Sequence, residues 1–134
     1  MNDPIAYRLM HAAHRVEARL EEAVAGVDLS GPKFAALDVL VAQGGSMSLS
    51  DLAEKLTCVR SNVTQLVDRL EADGLVKRAD DPADRRAVRA EVTALGRKRQ
   101  AAGAKVVHAV LQEVAKELSV VDPSVLKRAL DAVQ

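Results

Sequence analysis

The chain has 134 residues, 49% of them apolar, yet only one Phe, one Tyr and no Trp, so a core must come from Ala, Val and Leu packed closely between helices. Nineteen Lys and Arg balance nineteen Asp and Glu, so net charge by itself announces no polyanionic partner. One Cys excludes an intrachain disulfide framework, and no run approaches the ~18 apolar residues of a membrane span.

The N-terminal MNDPIAYRLM lacks a basic-then-apolar signal pattern, so a soluble, cytoplasmic protein is expected. The charge is unevenly spread. Residues 60–105 hold eleven Lys and Arg against seven Asp and Glu, whereas residues 1–59 hold five against eight and residues 106–134 three against four. A neutral chain with a basic middle can still neutralise phosphates locally. The chain is also short for a lone bundle of long helices, which favours burial against a partner subunit.

In chain order, Asp3-Pro4 starts a helix of about six turns. Ile5, Leu9, Ala13, Val16, Leu20 and Val24 form its apolar stripe, and Gly26 is expected to end it. A second helix starts near Ser30, carries Phe34, Leu37, Leu40 and Val41 inward, and stops at Gly44-Gly45. Ser46–Ser48 reads as a short extended link or one small strand. Ser48 and Asp51 resemble a capping box for a third helix from about Leu49 to Leu56. Thr57-Cys58 makes a turn. A fourth helix, about Val59 to Ala72, turns Val63, Leu66, Val67 and Leu70 inward and ends at Gly74. Leu75–Ala79 and Ala87–Thr93 read as two strands around a polar tip, Asp80 to Arg86. Thr93 caps a long helix with Leu95, Ala102, Val106, Val110, Val114 and Leu118 in register. Asp122-Pro123 opens a last short helix carrying Val125, Leu126, Ala129, Leu130 and Val133. The fold class is therefore mainly α with a small β hairpin, in the layout of a winged helix-turn-helix.

The chemistry of the fourth helix points the same way. In the major groove Arg can bond guanine, Asn or Gln can bond adenine, and Thr can touch a thymine methyl. Arg60, Ser61, Asn62, Thr64 and Gln65 supply that inventory within two turns, with Arg69 one turn on. An ordinary solvated helix face would show polar residues too. The short apolar third helix, tight turn, Gly stop and basic hairpin in sequence favour DNA. Ser48, Arg78, Arg85 and Arg89 suit phosphates better than base edges.

The runs LSDLAEKL, VRSNVTQLVDRLEADGLVKR and DPADRRAVRAEVTALG resemble the MarR family of bacterial transcription regulators, in order and spacing over nearly the whole chain. The family's hairpin signature is Asp-x-Arg, a strand, then Leu-Thr-x-x-Gly. It appears as Asp84-Arg85-Arg86 and Val92-Thr93-Ala94-Leu95-Gly96, with Val92 in place of the usual Leu. The resemblance implies a homodimer built by residues 1–29 and 94–134, and a DNA-binding lobe at residues 30–93. It also implies a fourth helix in the major groove of double-stranded DNA and a wing formed by Asp84, Arg85 and Arg86. There Arg86 enters the minor groove and Asp84 orients it. An Arg held by a carboxylate at a hairpin tip suits a narrow, negative groove. A surface ion pair worth little is the plain alternative.

Other candidates are weaker. Cys58, near a helix N-terminus and beside Arg60, has the setting of an oxidant-sensing thiol, but small buried filler is the better reading. The family's redox sensors carry their Cys in the first helix. His11 and His14 sit three apart, a spacing that can hold a metal, yet nothing completes a site, and no metal or cofactor is expected. By resemblance, a small aromatic ligand would bind between the DNA lobe and the dimer helices, where Arg15, Phe34 and His108 are candidates. Expected, then, is a repressor acting as a homodimer on a palindromic operator and released by an effector. The alternatives are a redox- or zinc-responsive regulator of the same fold, or a helical protein-interaction module. No phosphate-cradling Gly loop, Ser/His/Asp arrangement or two-His zinc motif argues for an enzyme.

Overall fold

A computed structural model describes residues 4–57 and 60–134. Among these the order is α1 (Pro4–Ala25), α2 (Gly31–Ala42), β1 (Ser46–Ser48), α3 (Leu49–Lys55), α4 (Arg60–Ala72), β2 (Val76–Asp80), β3 (Val88–Val92), α5 (Ala94–Glu117) and α6 (Pro123–Asp131). One 3-10 turn, Leu118–Val120, joins α5 to α6. The expected cap Asp3 and the turn residue Cys58 lie outside the described residues.

Short polar side chains start the helices by accepting from orphan backbone amides. Ser30 Oγ accepts from the Lys33 amide, Ser48 Oγ from Asp51, Thr93 Oγ1 from Gly96 and Asp122 from Ser124. The ends of α1, α2, α3 and α4 share one device, a left-handed residue just past the helix, whereas α5 and α6 run out on right-handed residues. After α2 it is Gly44 (φ 89°), with the Gly45 amide donating to the Leu40 carbonyl at 2.7 Å. After α4 it is Gly74 (φ 76°), with the Leu75 amide donating to Leu70 at 2.9 Å. After α1 the residue is Asp28 (φ 60°), not the expected Gly26. The chain continues one further turn, and the Leu29 amide closes it on Val24. Thr57 (φ 54°) takes the left-handed position after α3.

The three strands form one antiparallel sheet in the order β1-β3-β2, pairing Ser46 with Glu91 and Val76 with Val92. The two strands of the hairpin differ from the expected Leu75–Ala79 and Ala87–Thr93 by a residue at each end, because the end residues are spent elsewhere. Leu75 closes α4, Ala87 donates to Asp84 in the hairpin turn, and Thr93 caps α5.

The core lies in the lobe formed by α2, α3, α4 and the sheet. Leu37, Leu40, Leu52, Val63, Val67, Leu70, Leu75 and Ala90 are fully enclosed there. The long α5 packs along α1 and α2. Gly103 makes the second of these contacts possible, since a Cβ there would meet the Phe34 ring at 2.5 Å. The α1 stripe is treated otherwise than its periodicity suggests. Only Val24 is buried, while Ile5 is 72% exposed and Leu9 42%. Leu111, Leu118, Val125, Leu130 and Val133 are exposed as well. Among the described residues, the outer parts of α1 and α6 and the outward side of α5 keep these apolar side chains exposed.

Candidate nucleic-acid interface

Helix α4 is seated by Val63, Val67 and Leu70, which are fully buried, and by half-buried Leu66. Its opposite side leaves Asn62, Gln65 and Arg69 exposed at spacings of three and four, one polar strip on one face. Thr64 is half-buried, and its backbone carbonyl accepts from the Arg78 guanidinium at 3.2 Å. Arg60 and Ser61 stand in the first turn of α4, and their side chains lie outside the described residues.

The hairpin between β2 and β3 is ordered by its own carboxylates. Asp81 Oδ1 accepts from the Ala83 amide and Asp84 Oδ1 from the Arg86 amide, each at 2.9 Å. Both are turns in which a short acidic side chain takes the amide two residues on. Arg85 and Arg86 stand exposed at the tip. The expected pairing of Asp84 with Arg86 thus runs through the Arg86 backbone. Near the turn the wing's charge pair is Asp81 with Arg89, at 3.2 Å, and farther down the hairpin Lys77 meets Glu91 at 3.7 Å. The Ala83 amide, and after it Arg89, hold the Asp81 carboxyl below the ordinary carboxylate range despite some desolvation.

Three residues expected at phosphates are engaged within the chain. Ser48 Oγ caps α3. Arg89 donates to Ser46 Oγ and to the Ser46 carbonyl, both at 3.0 Å, tying β3 to β1 and to the hairpin. Arg78 reaches Asp68 at 2.6 Å and Glu71 at 3.0 Å, and its amide donates to Glu71 at 2.9 Å. The reason is positional: Arg78 and Arg89 lie on the strands at the flank of the lobe, among its carboxylates, and not at the tip. The Arg78 amide and then its guanidinium draw the Glu71 carboxyl down.

Two further tethers hold the lobe in place. Lys33 on α2 pairs with Asp73 beyond α4 at 2.7 Å. Glu21 on α1 accepts from the Gly31 amide at 2.7 Å, capping α2 from another helix. Neither was anticipated. For the Arg78 contacts the sequence does carry one signal, since Thr64, Asp68 and Glu71 share a helix face and a cation follows just past the Gly stop.

The candidate ligand residues sit on three helices, α1, α2 and α5. Arg15 is exposed and lines a cleft of about 280 Å³ between α1 and α5 with Ala12, Arg19, Val114 and Glu117. Phe34 packs on Gly103 and Leu29, and His108 is exposed on α5. His11 and His14 are exposed, and among the described residues no three His, Cys, Asp or Glu form a metal-holding group.

Residues 29–88 match the sequence model of the MarR family. An HTH-type transcriptional regulator of Bacillus subtilis, YfiV, is 42% identical over 67 residues, 50% of this chain and 41% of its own length. The chain spans about half the length of the curated relatives it matches first. Two solved structures share the fold. A mutant MarR from Escherichia coli, complexed with operator DNA, superposes with a TM-score of 0.83 at 22% identity, covering 97% of this chain and 93% of that one. CouR from Rhodococcus jostii RHA1, bound to p-coumaroyl-CoA, superposes at 0.79 and 24% identity, covering 98% and 90%.

Proposed function

The chain belongs to the MarR family of winged helix-turn-helix transcription regulators, and from that premise we propose that it is a homodimeric repressor, released from a palindromic operator by a small-molecule effector. The observation that carries this reading is the pairing of two exposed surfaces on one small lobe. Asn62, Gln65 and Arg69 line the free face of α4, and Arg85 and Arg86 stand free at the hairpin tip. A helix face of this chemistry suits the major groove, and a projecting pair of arginines suits the adjacent minor groove.

Residues 30–93 are the DNA lobe in this reading, and residues 1–29 and 94–134 build the dimer. The apolar residues left open on α1, α5 and α6 support that division, because a second copy would cover them. A two-fold dimer carries two copies of α4 and so prefers an inverted repeat with half-sites about one helical turn apart. Occupying such a site over a promoter excludes polymerase, which is repression. An effector lodged between α1, α2 and α5 would change the spacing of the two lobes rather than undergo chemistry. A small aromatic acid or its thioester fits that role, by analogy with the ligand in CouR.

The test is footprinting of the gene's own upstream region, with unbiased selection from random duplexes alongside. Protection of an inverted repeat is the expected result. Recovery of no preferred duplex, together with weak binding insensitive to salt, would instead indicate a protein-binding module.

A further inference from the structure

We propose that Arg78 is a positioning residue for DNA reading: it braces α4 against β2 and neutralises the carboxylates that α4 would otherwise bring to the DNA. The inference rests on the regulator reading above and assigns a role within it.

The guanidinium meets three groups on α4 at once. It pairs with Asp68 at 2.6 Å and Glu71 at 3.0 Å, and donates to the Thr64 carbonyl at 3.2 Å. Thr64, Asp68 and Glu71 lie four and three apart, so the contacts run along two turns of one helix. The Arg78 backbone is held too, its amide donating to Glu71 at 2.9 Å. Helix α4 therefore cannot roll or slide against the strand that leads into the wing without breaking several of these contacts together. A planar fork can do this, whereas a Lys ammonium cannot span the same acceptors.

The charges give the second half of the role. Asp68 and Glu71 are substantially exposed, their side chains 60% and 42% open, on the helix expected to face phosphates. Asp68 lies three residues after Gln65, at the border of the exposed reading strip. Bare carboxylates there would repel DNA. Arg78, only 27% open, spends its charge on them. It is thus unlike Arg85 and Arg86, whose side chains stand exposed at the tip.

The experiment measures affinity for the selected operator and for a random duplex across a salt series, using the full-length protein. The variants are Arg78→Ala, Arg78→Lys and Arg78→Ala combined with Asp68→Asn. The expected result for Arg78→Ala is weaker non-specific binding, most marked at low salt, and a further fall of about tenfold or more in the ratio of operator to random affinity. Arg78→Lys keeps the charge and recovers non-specific affinity but not the ratio. Adding Asp68→Asn to Arg78→Ala recovers non-specific affinity in the same way. Loss of a phosphate contact instead leaves the ratio intact, lowering the salt slope by about one per site. That outcome, or an unchanged ratio in both single variants, overturns the inference alone. If Arg78→Ala does not fold, the ratio in Arg78→Lys decides. A wild-type protein that prefers no duplex overturns the regulator reading, and this inference falls with it.

Discussion

Gly96 shows how much a single position can owe to its neighbours. A Cβ there would run into the Leu75 carbonyl oxygen and lie 2.7 Å from a Val92 methyl, so only Gly lets α5 start so close to the strand. Thr93, three residues earlier, donates to the Gly74 carbonyl at 2.7 Å while capping Gly96 at 3.0 Å. The Thr-x-x-Gly spacing is therefore the joint between the lobe and the long helix. Thr57 is the opposite case, a β-branched residue held at φ 54°. Its left-handed strain is of order 1–2 kcal/mol, partly offset in Gly by about 0.5–1 kcal/mol of extra backbone entropy. Thr57→Gly should raise stability by about 0.5–1 kcal/mol in urea titration, and a loss would show the strain to be compensated locally. At the wing, Arg86→Ala should cut operator affinity about tenfold or more with the thermal midpoint unchanged. Gln65→Ala should alter sequence preference more than non-specific affinity, and competition among single-base operator variants would read this directly.

At the scale of elements, the exposed ion pairs matter less for stability than for alignment. Arg19 joins α1 to Glu113 and Glu117 on α5, both at 3.2 Å, but the carboxylates are largely exposed, and solvent screening leaves such pairs little net stabilisation. Burial of Leu37, Leu40, Leu52 and Leu70 sets the stability instead, each costing about 2–5 kcal/mol on truncation to Ala. The carboxylates that order the wing leave a signature in acid. Glu71 and Asp81 are both held below their ordinary values, so their stabilisation is present above the unfolded carboxylate range, near pH 4, and is lost as pH falls through the folded values. Glu71→Gln should therefore flatten the decline of the thermal midpoint below about pH 4. An unchanged decline would place the acid sensitivity elsewhere. The helices, their starts and the hairpin were legible because caps, apolar periods and Gly stops are local signals. The engagement of Arg78 and Arg89 was not, since the identity of an arginine does not say whether a phosphate or a carboxylate lies beside it.

For the whole molecule, the open apolar surface is the dominant feature. Ile5, Leu118, Val125 and Leu130 lie on α1, on the turn after α5 and on α6, and a single chain leaves all four exposed. Sedimentation should give a species of two chains. Leu130→Asp should shift it toward one chain and reduce operator affinity by about a hundredfold or more, while weak non-specific binding persists. A variant that stays dimeric would remove α6 from the interface. A monomeric variant that keeps full operator affinity would remove the two-fold from recognition.

The sequence by itself determined the element order, the winged layout and the outward placement of Asn62, Gln65 and Arg69 on α4. Those depend on interactions within a few residues or on one periodicity. It also named Arg86 as the wing residue, and Arg86 is exposed at the hairpin tip. Only the tertiary structure decided how the other arginines are used. Packing brings Asp68 and Glu71 to Arg78, and Ser46 and Asp81 to Arg89, and a shared helix face or a nearby cation does not by itself say which charges will meet. The physical reason is that a helix or cap is a property of neighbouring backbone, whereas a charge finds its partner only after the elements have docked.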